Sequence, residues 1–105
     1  MSAWIVLLIA GGFEAVWATA LGKSDGLSRL IPSLIFLAGA VASTAGLAWA
    51  MRTLPAGTSY AVWTGVGAAL TVTYAMATGA ETASAVRVGF IIGIVACVIG
   101  LEMVT

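Results

Sequence analysis

One acid in this chain sits in an apolar run. The segment Ala3–Leu21, AWIVLLIAGGFEAVWATAL, is broken by a single charge, Glu14. A carboxylate near the centre of a membrane helix costs about 2.5–3.5 kcal/mol on insertion scales, so a chain that keeps one there uses it. No basic residue falls in the central part of any apolar run, which leaves Glu14 without a fixed intramembrane partner. Such a group either holds a proton or attracts a mobile cation. A site that takes one or the other, but not both at once, couples their movements. The competing reading is a buried acid satisfied by hydrogen bonds, with Trp17 as an interfacial anchor. Tryptophan anchors belong at helix ends, and Trp4 and Trp49 fit that role better.

Helical spacing supplies surroundings for the acid. Leu7, Ala10, Gly11, Glu14, Trp17, Ala18 and Leu21 share one face at 3.6 residues per turn. Trp17 stands one turn from the carboxylate, and the small Ala10 and Gly11 leave room for a neighbouring backbone or a ligand. Later in the chain Tyr60, Trp63, Thr64 and Gly67 fall at i, i+3, i+4 and i+7. A Trp face stabilises a cation by about 0.5–2 kcal/mol. The Tyr and Thr hydroxyls are suited to orienting a carboxylate, and Gly65 and Gly67 permit close approach or a bend. A Tyr–Trp pair that merely fills a bundle core is the alternative for this segment.

The elements that must position these residues are four apolar segments, at about residues 3–21, 30–53, 58–78 and 88–104, in one domain covering 1–105. Each has roughly 17 to 24 residues, enough to cross a hydrocarbon core of about 30 Å as a helix. The breaks between them are GKSDGLSR, RTLPAG and GAETASAVR. Composition agrees: 62% of the 105 residues are hydrophobic and 8% charged, too little charge to cover a soluble surface. The fold class is therefore an all-α membrane protein with four transmembrane helices and short loops, a multi-pass protein of the inner or plasma membrane. The ten-residue alternation of a barrel is missing. Both termini lie on one side. Lys23, Arg29 and Arg87 lie in loops on the other, against Arg52 alone with the termini. This mild excess places the termini outside by the positive-inside rule, and its weakness suits insertion both ways.

Net charge is zero, with four basic and four acidic residues, so there is no polybasic patch for nucleic acid or anionic lipid. Cys97, the single cysteine, reads as a small packing residue. The absence of His, a Cys pair, a metal-ligand cluster and a phosphate loop argues against an enzyme and against a cofactor. A proteolipid rotor subunit also has one membrane carboxylate, but such subunits are typically two-helix hairpins with the acid late in the chain. A non-transporting bundle or assembly factor is the remaining alternative.

Four spans, one acid in the first helix and the run PAGTSYAVWTGVGA closely resemble the small multidrug resistance family of proton-coupled exporters. The likeness extends over essentially the whole chain, including RLIPS at 29–33 and Glu81 after the third segment. It implies that Glu14 is the carboxylate where protons and substrate compete, and that Tyr60 and Trp63 are binding-site aromatics. Trp17 three residues after the acid, WTG at 63–65 and Ala40 resemble the guanidinium-exporting branch rather than the quaternary-ammonium multidrug branch, which stays the alternative. Ser43 matches a serine that belongs, in that branch, to the hydrogen-bond network around the acid; its alternative is a hydroxyl bonded to its own helix. The implied site is thus Glu14, Trp17, Ser43, Tyr60 and Trp63. The implied partners are protons, a small guanidinium-type cation and the lipid bilayer, with the proton gradient in place of a cofactor.

Guanidinium chemistry suits such a site, because its flat fork of N–H donors matches a carboxylate. The resemblance also implies an antiparallel, dual-topology dimer of two copies sharing a site, with the fourth helices joined; Gly89 and Gly93 form a GxxxG motif there. Pairing with a different subunit is the other possibility. Four departures stand out: Gly22 where a lysine usually follows the first helix, with Lys23 after it; Leu70 where a glycine is common; Glu102 in place of a terminal lysine; and a threonine-rich third helix.

Overall fold

The structure, a computed structural model, describes residues 2–104, so Met1 and Thr105 of the expected domain lie outside it. Four helices follow one another: α1 (Ser2–Lys23), α2 (Leu30–Ala50), α3 (Ala56–Ala77) and α4 (Ala85–Met103). α1 packs against both α2 and α3, α3 carries α4 on another side, and α2 and α3 meet only marginally. The result is a slab of 40 × 33 × 17 Å.

Small residues set these contacts. Ala3, Ala10, Gly11 and Ala20 of α1 are buried, as are Ser43 and Ala50 of α2 and Ser59, Gly67 and Ala69 of α3. Lipid tails are as apolar as leucine, so membrane helices gain from close van der Waals approach rather than from hiding oil. The larger buried side chains, Leu7, Leu47 and Val62, form one cluster with Ala50, and Trp4, Trp63 and Val98 pack around it. α4 has no buried residue. Its contact with α3 runs through Gly65, where an added Cβ would lie 2.9 Å from Val98 Cγ2. Cys97, expected to pack, is exposed on the free side of α4.

α1, α2 and α4 are each long and apolar enough to cross a membrane. α3 is more polar, and its hydroxyls are absorbed locally. Thr71 Oγ1 donates to the Gly67 carbonyl at 2.6 Å and Thr73 Oγ1 to the Ala69 carbonyl at 2.7 Å. A hydroxyl bonded to the carbonyl one turn back needs no water, and that is the condition for placing it in lipid.

The helix limits differ from the expected spans where capping decides them. α2 stops at Ala50, because Met51–Thr53 form a turn and the Leu54 amide closes on the Ala50 carbonyl at 3.0 Å. α3 starts directly after Pro55. α4 begins at Ala85, inside the stretch read as a linker, because the Ser84 hydroxyl accepts the Arg87 amide at 3.1 Å as an N-cap. Between α1 and α2, Asp25, Gly26 and Leu27 have φ of 50°, 69° and 70°. Left-handed backbone is unfavourable for leucine. Buried Ser24 holds the turn: its hydroxyl donates to the Leu21 carbonyl at 2.7 Å and accepts the Leu27 amide at 3.0 Å.

Candidate functional site

Glu14 lies just past the middle of α1, half-buried, on the side that meets α3. The opposing residue is Gly67. A Cβ built there would lie 2.7 Å from Glu14 Oε1 and 2.8 Å from Glu14 Cβ, so only glycine lets the acid occupy this place. Glu14 Oε2 is buried and accepts no hydrogen bond. Among the described residues no cation pairs with Glu14; the recorded ion pair is Arg87–Glu81, outside the bundle.

Trp17 is wedged between two helices. Its ring meets Phe36 of α2 edge to face, with centroids 5.7 Å apart at 68°, and tilts toward Trp63 of α3 at 6.5 Å. Its backbone crowds Gly39, where an added Cβ would be 2.9 Å from Trp17 Cβ. The indole Nε1–H is buried without an acceptor. Glu14 and Trp17 thus each keep one buried polar atom free, an acceptor and a donor one helical turn apart.

Ser43 is fully buried and ties three helices at one atom. Its hydroxyl donates to the Ala10 carbonyl of α1 at 2.6 Å and accepts the Trp63 Nε1–H of α3 at 2.9 Å. It therefore bonds neither its own helix nor Glu14: Ser43 stands level with Ala10, one turn before the acid. Its effect is to fix the plane of the Trp63 ring. Tyr60 stacks on that ring with centroids 5.9 Å apart at 39° and is 56% exposed, presenting its other face outward.

Sequence spacing joined Tyr60, Trp63, Thr64 and Gly67 as one wall, and here the structure corrects it. Trp63 and Gly67 turn inward, whereas Thr64 is exposed and makes no hydrogen bond to Glu14. α3 must serve α1 through Val66 and Gly67 and α4 through Gly65, and Thr64 falls on neither contact. The room beside Ala10 and Gly11 is taken by neighbours: Gly46 of α2 faces Ala10, and Val66 of α3 faces Gly11. Leu21, placed on the same face, is 37% exposed. Phe36 and Gly39 were not singled out from the sequence. Both sit in a charge-free apolar run with nothing to distinguish them, and only the crossing of α1 over α2 brings them to Trp17.

Four helices, three of them long and apolar enough to cross a membrane, with a carboxylate unpaired among the described residues and an aromatic wall define a class of multi-pass membrane protein. Comparison with known proteins narrows it. The family model described as Small Multidrug Resistance protein matches residues 2–97. The chain is 50% identical over 102 residues to guanidinium exporters of Citrobacter freundii and Salmonella typhimurium, covering 97% of this chain and 97% of each relative. It is 48% identical over 101 residues to a guanidinium exporter of Yersinia pestis. The chain belongs to the small multidrug resistance family of membrane transporters.

Proposed function

We propose that this chain exports guanidinium and small guanidinyl cations in exchange for protons, with the two competing for Glu14. The observation that carries the reading is 50% identity, over nearly the whole of both chains, to relatives named guanidinium exporters. The chemistry of the site supports it. A guanidinium ion brings paired N–H donors, and the free Oε2 of Glu14 together with Oε1 forms the matching acceptor pair. Trp17, one turn from the acid, and Trp63, one turn from Gly67, supply aromatic rings with centroids 6.5 Å apart. In the low dielectric between helices a carboxylate without a partner is unfavourable. A proton satisfies it when the cation has left, and the cation satisfies it when the proton has left. Glu14 does not hold both, so the two fluxes are coupled.

The working unit we propose is an antiparallel dimer sharing the site. One protomer leaves Tyr60 more than half exposed, and α4 buries none of its residues. A Cβ added at Gly89, Gly93 or Gly100 would meet nothing within 4 Å, so this face of α4 is free to pack closely against a second copy. Two opposed copies exchange conformations to give alternating access.

The test is transport by the purified chain alone in liposomes. An imposed guanidinium gradient should drive proton movement in the opposite direction, and a bulky aromatic quaternary ammonium should do so far less. Equal transport of both cations would move the assignment to the multidrug branch. No transport by the chain alone, with transport restored by a paralogous subunit, would make it half of a heteromer.

A further inference from the structure

α1 and α3 enclose a second feature, on the side of α1 away from Glu14. Ala15, Val16 and Thr19 of α1 and Leu70 and Tyr74 of α3 line a groove of about 420 Å³. Its lining is almost wholly carbon, and its walls face outward: Val16 is 50% exposed, Leu70 46% and Tyr74 48%. At one end stands a cation. Ala15, Thr19 and Lys23 form a single stripe of α1 at i, i+4 and i+8, and the Lys23 ammonium lies 5.8 Å from the centroid of the Tyr74 ring. Lys23 is the last residue of α1, so it marks the level where hydrocarbon gives way to headgroups. Among the described residues Lys23 makes no ion pair.

We propose that this groove is a binding site for an anionic phospholipid, with an acyl chain along Thr19 and Leu70 and the phosphate against Lys23. Charge complementarity selects this occupant. A cationic substrate tail would run toward the ammonium and be repelled, whereas a lipid anion is drawn to it. The helix ends and loops at this end of the bundle carry three cations, Lys23, Arg29 and Arg87, and two acids, Asp25 and Glu81, and Glu81 is engaged by Arg87 at 2.9 Å. A basic group at the mouth of an apolar cleft between membrane helices is the arrangement that holds an acidic headgroup. The register of the lysine matters. Position 22 lies about 100° round the helix from position 23, so a lysine there would leave the stripe that lines the groove.

The experiment is native mass spectrometry of the full-length protein extracted from bilayers of equimolar phosphatidylglycerol and phosphatidylcholine. The wild type should retain phosphatidylglycerol over phosphatidylcholine by roughly fivefold, as one basic group near the surface provides. Lys23→Gln should remove the preference, and Gly22→Lys combined with Lys23→Gly should not restore it. Leu70→Trp, which fills the groove, should lower retention of both lipids with the oligomeric state intact. Equal retention of the two lipids by the wild type, or a preference that survives Lys23→Gln, would overturn the proposal. Loss of the dimer in Leu70→Trp would assign the groove to a second copy instead and overturn it too.

Discussion

Glu14 and Glu81 carry the same functional group in opposite circumstances. Glu81 sits past the end of α3, 43% exposed, with the Arg87 guanidinium 2.9 Å away. Its charge is hydrated and paired, and an exposed pair of this kind contributes little. Glu14 sits within α1, with one oxygen buried and unbonded, against a glycine that leaves just enough room for it. The surface acid already has its guanidinium as a fixed side chain. The buried acid has none, and so it can accept one that comes and goes. On the function proposed above, the difference between a structural ion pair and a transport site lies in whether the chain itself provides the cation.

The comparison breaks first at Glu14 itself. Glu14→Gln should abolish proton-coupled guanidinium transport in liposomes while the protein still assembles, because the amide neither titrates nor pairs with a cation; gradient-driven uptake at the wild-type rate would end the mechanism. Gly67→Ala comes next. Helix propensity alone favours alanine by about 1 kcal/mol, but the new Cβ would stand 2.8 Å from Glu14 Cβ. Overpacking of that kind costs about 1–3 kcal/mol, so sterics should win. Thermal unfolding in detergent should show a lower midpoint and transport should fall steeply. A more stable protein with full transport would mean that the α1–α3 contact does not hold Glu14 in place.

Ser43→Ala should cost about 1–3 kcal/mol, since it strands the buried Trp63 indole N–H. Because Ser43 fixes a ring and does not touch the acid, guanidinium affinity should weaken while exchange remains proton-coupled. Ser43→Thr, which keeps the hydroxyl, should recover part of the affinity, whereas loss of coupling in Ser43→Ala would place the hydroxyl on the acid after all. The smallest effect belongs to the surface pair. Glu81→Gln should change stability by at most about 0.5 kcal/mol and leave transport unchanged. A transport defect there would show that the exposed pair is part of the working cycle, and the contrast between the two acids would lose its force.

Much of this was legible in the order of the residues. Four apolar runs of spanning length dictate four helices, because in lipid the backbone has to satisfy itself. Glu14 declares itself because a charge in such a run is an energetic anomaly wherever the helix points. Trp17 and the Tyr60–Trp63 pair follow from one-turn spacing. Helix ends were less legible. The Ser84 cap extends α4 back into a stretch that reads as linker, and the turn after Ala50 shortens α2. Both depend on local hydrogen bonds that hydropathy does not register.

For α1 the acid marked the inner face, and Leu7, Ala10 and Gly11 are buried on it; which way α2, α3 and α4 face was decided by tertiary structure. A soluble helix announces its inner face by its apolar stripe, but α2 and α4 are apolar or small on nearly every side and α3 spreads its hydroxyls round its circumference, so hydropathy carries no rotation signal there. Packing therefore decided that Thr64 looks outward, that Phe36 and Gly39 receive Trp17, and that Ser43 joins Ala10 to Trp63. It also decided that the stripe Ala15, Thr19 and Lys23, which helical spacing turns away from the acid, meets Leu70 and Tyr74. The sequence by itself determined that one carboxylate would be left in the membrane without a cation. Only the fold decided that it would face a glycine, because close approach of two backbones is a property of the pair and of neither helix alone.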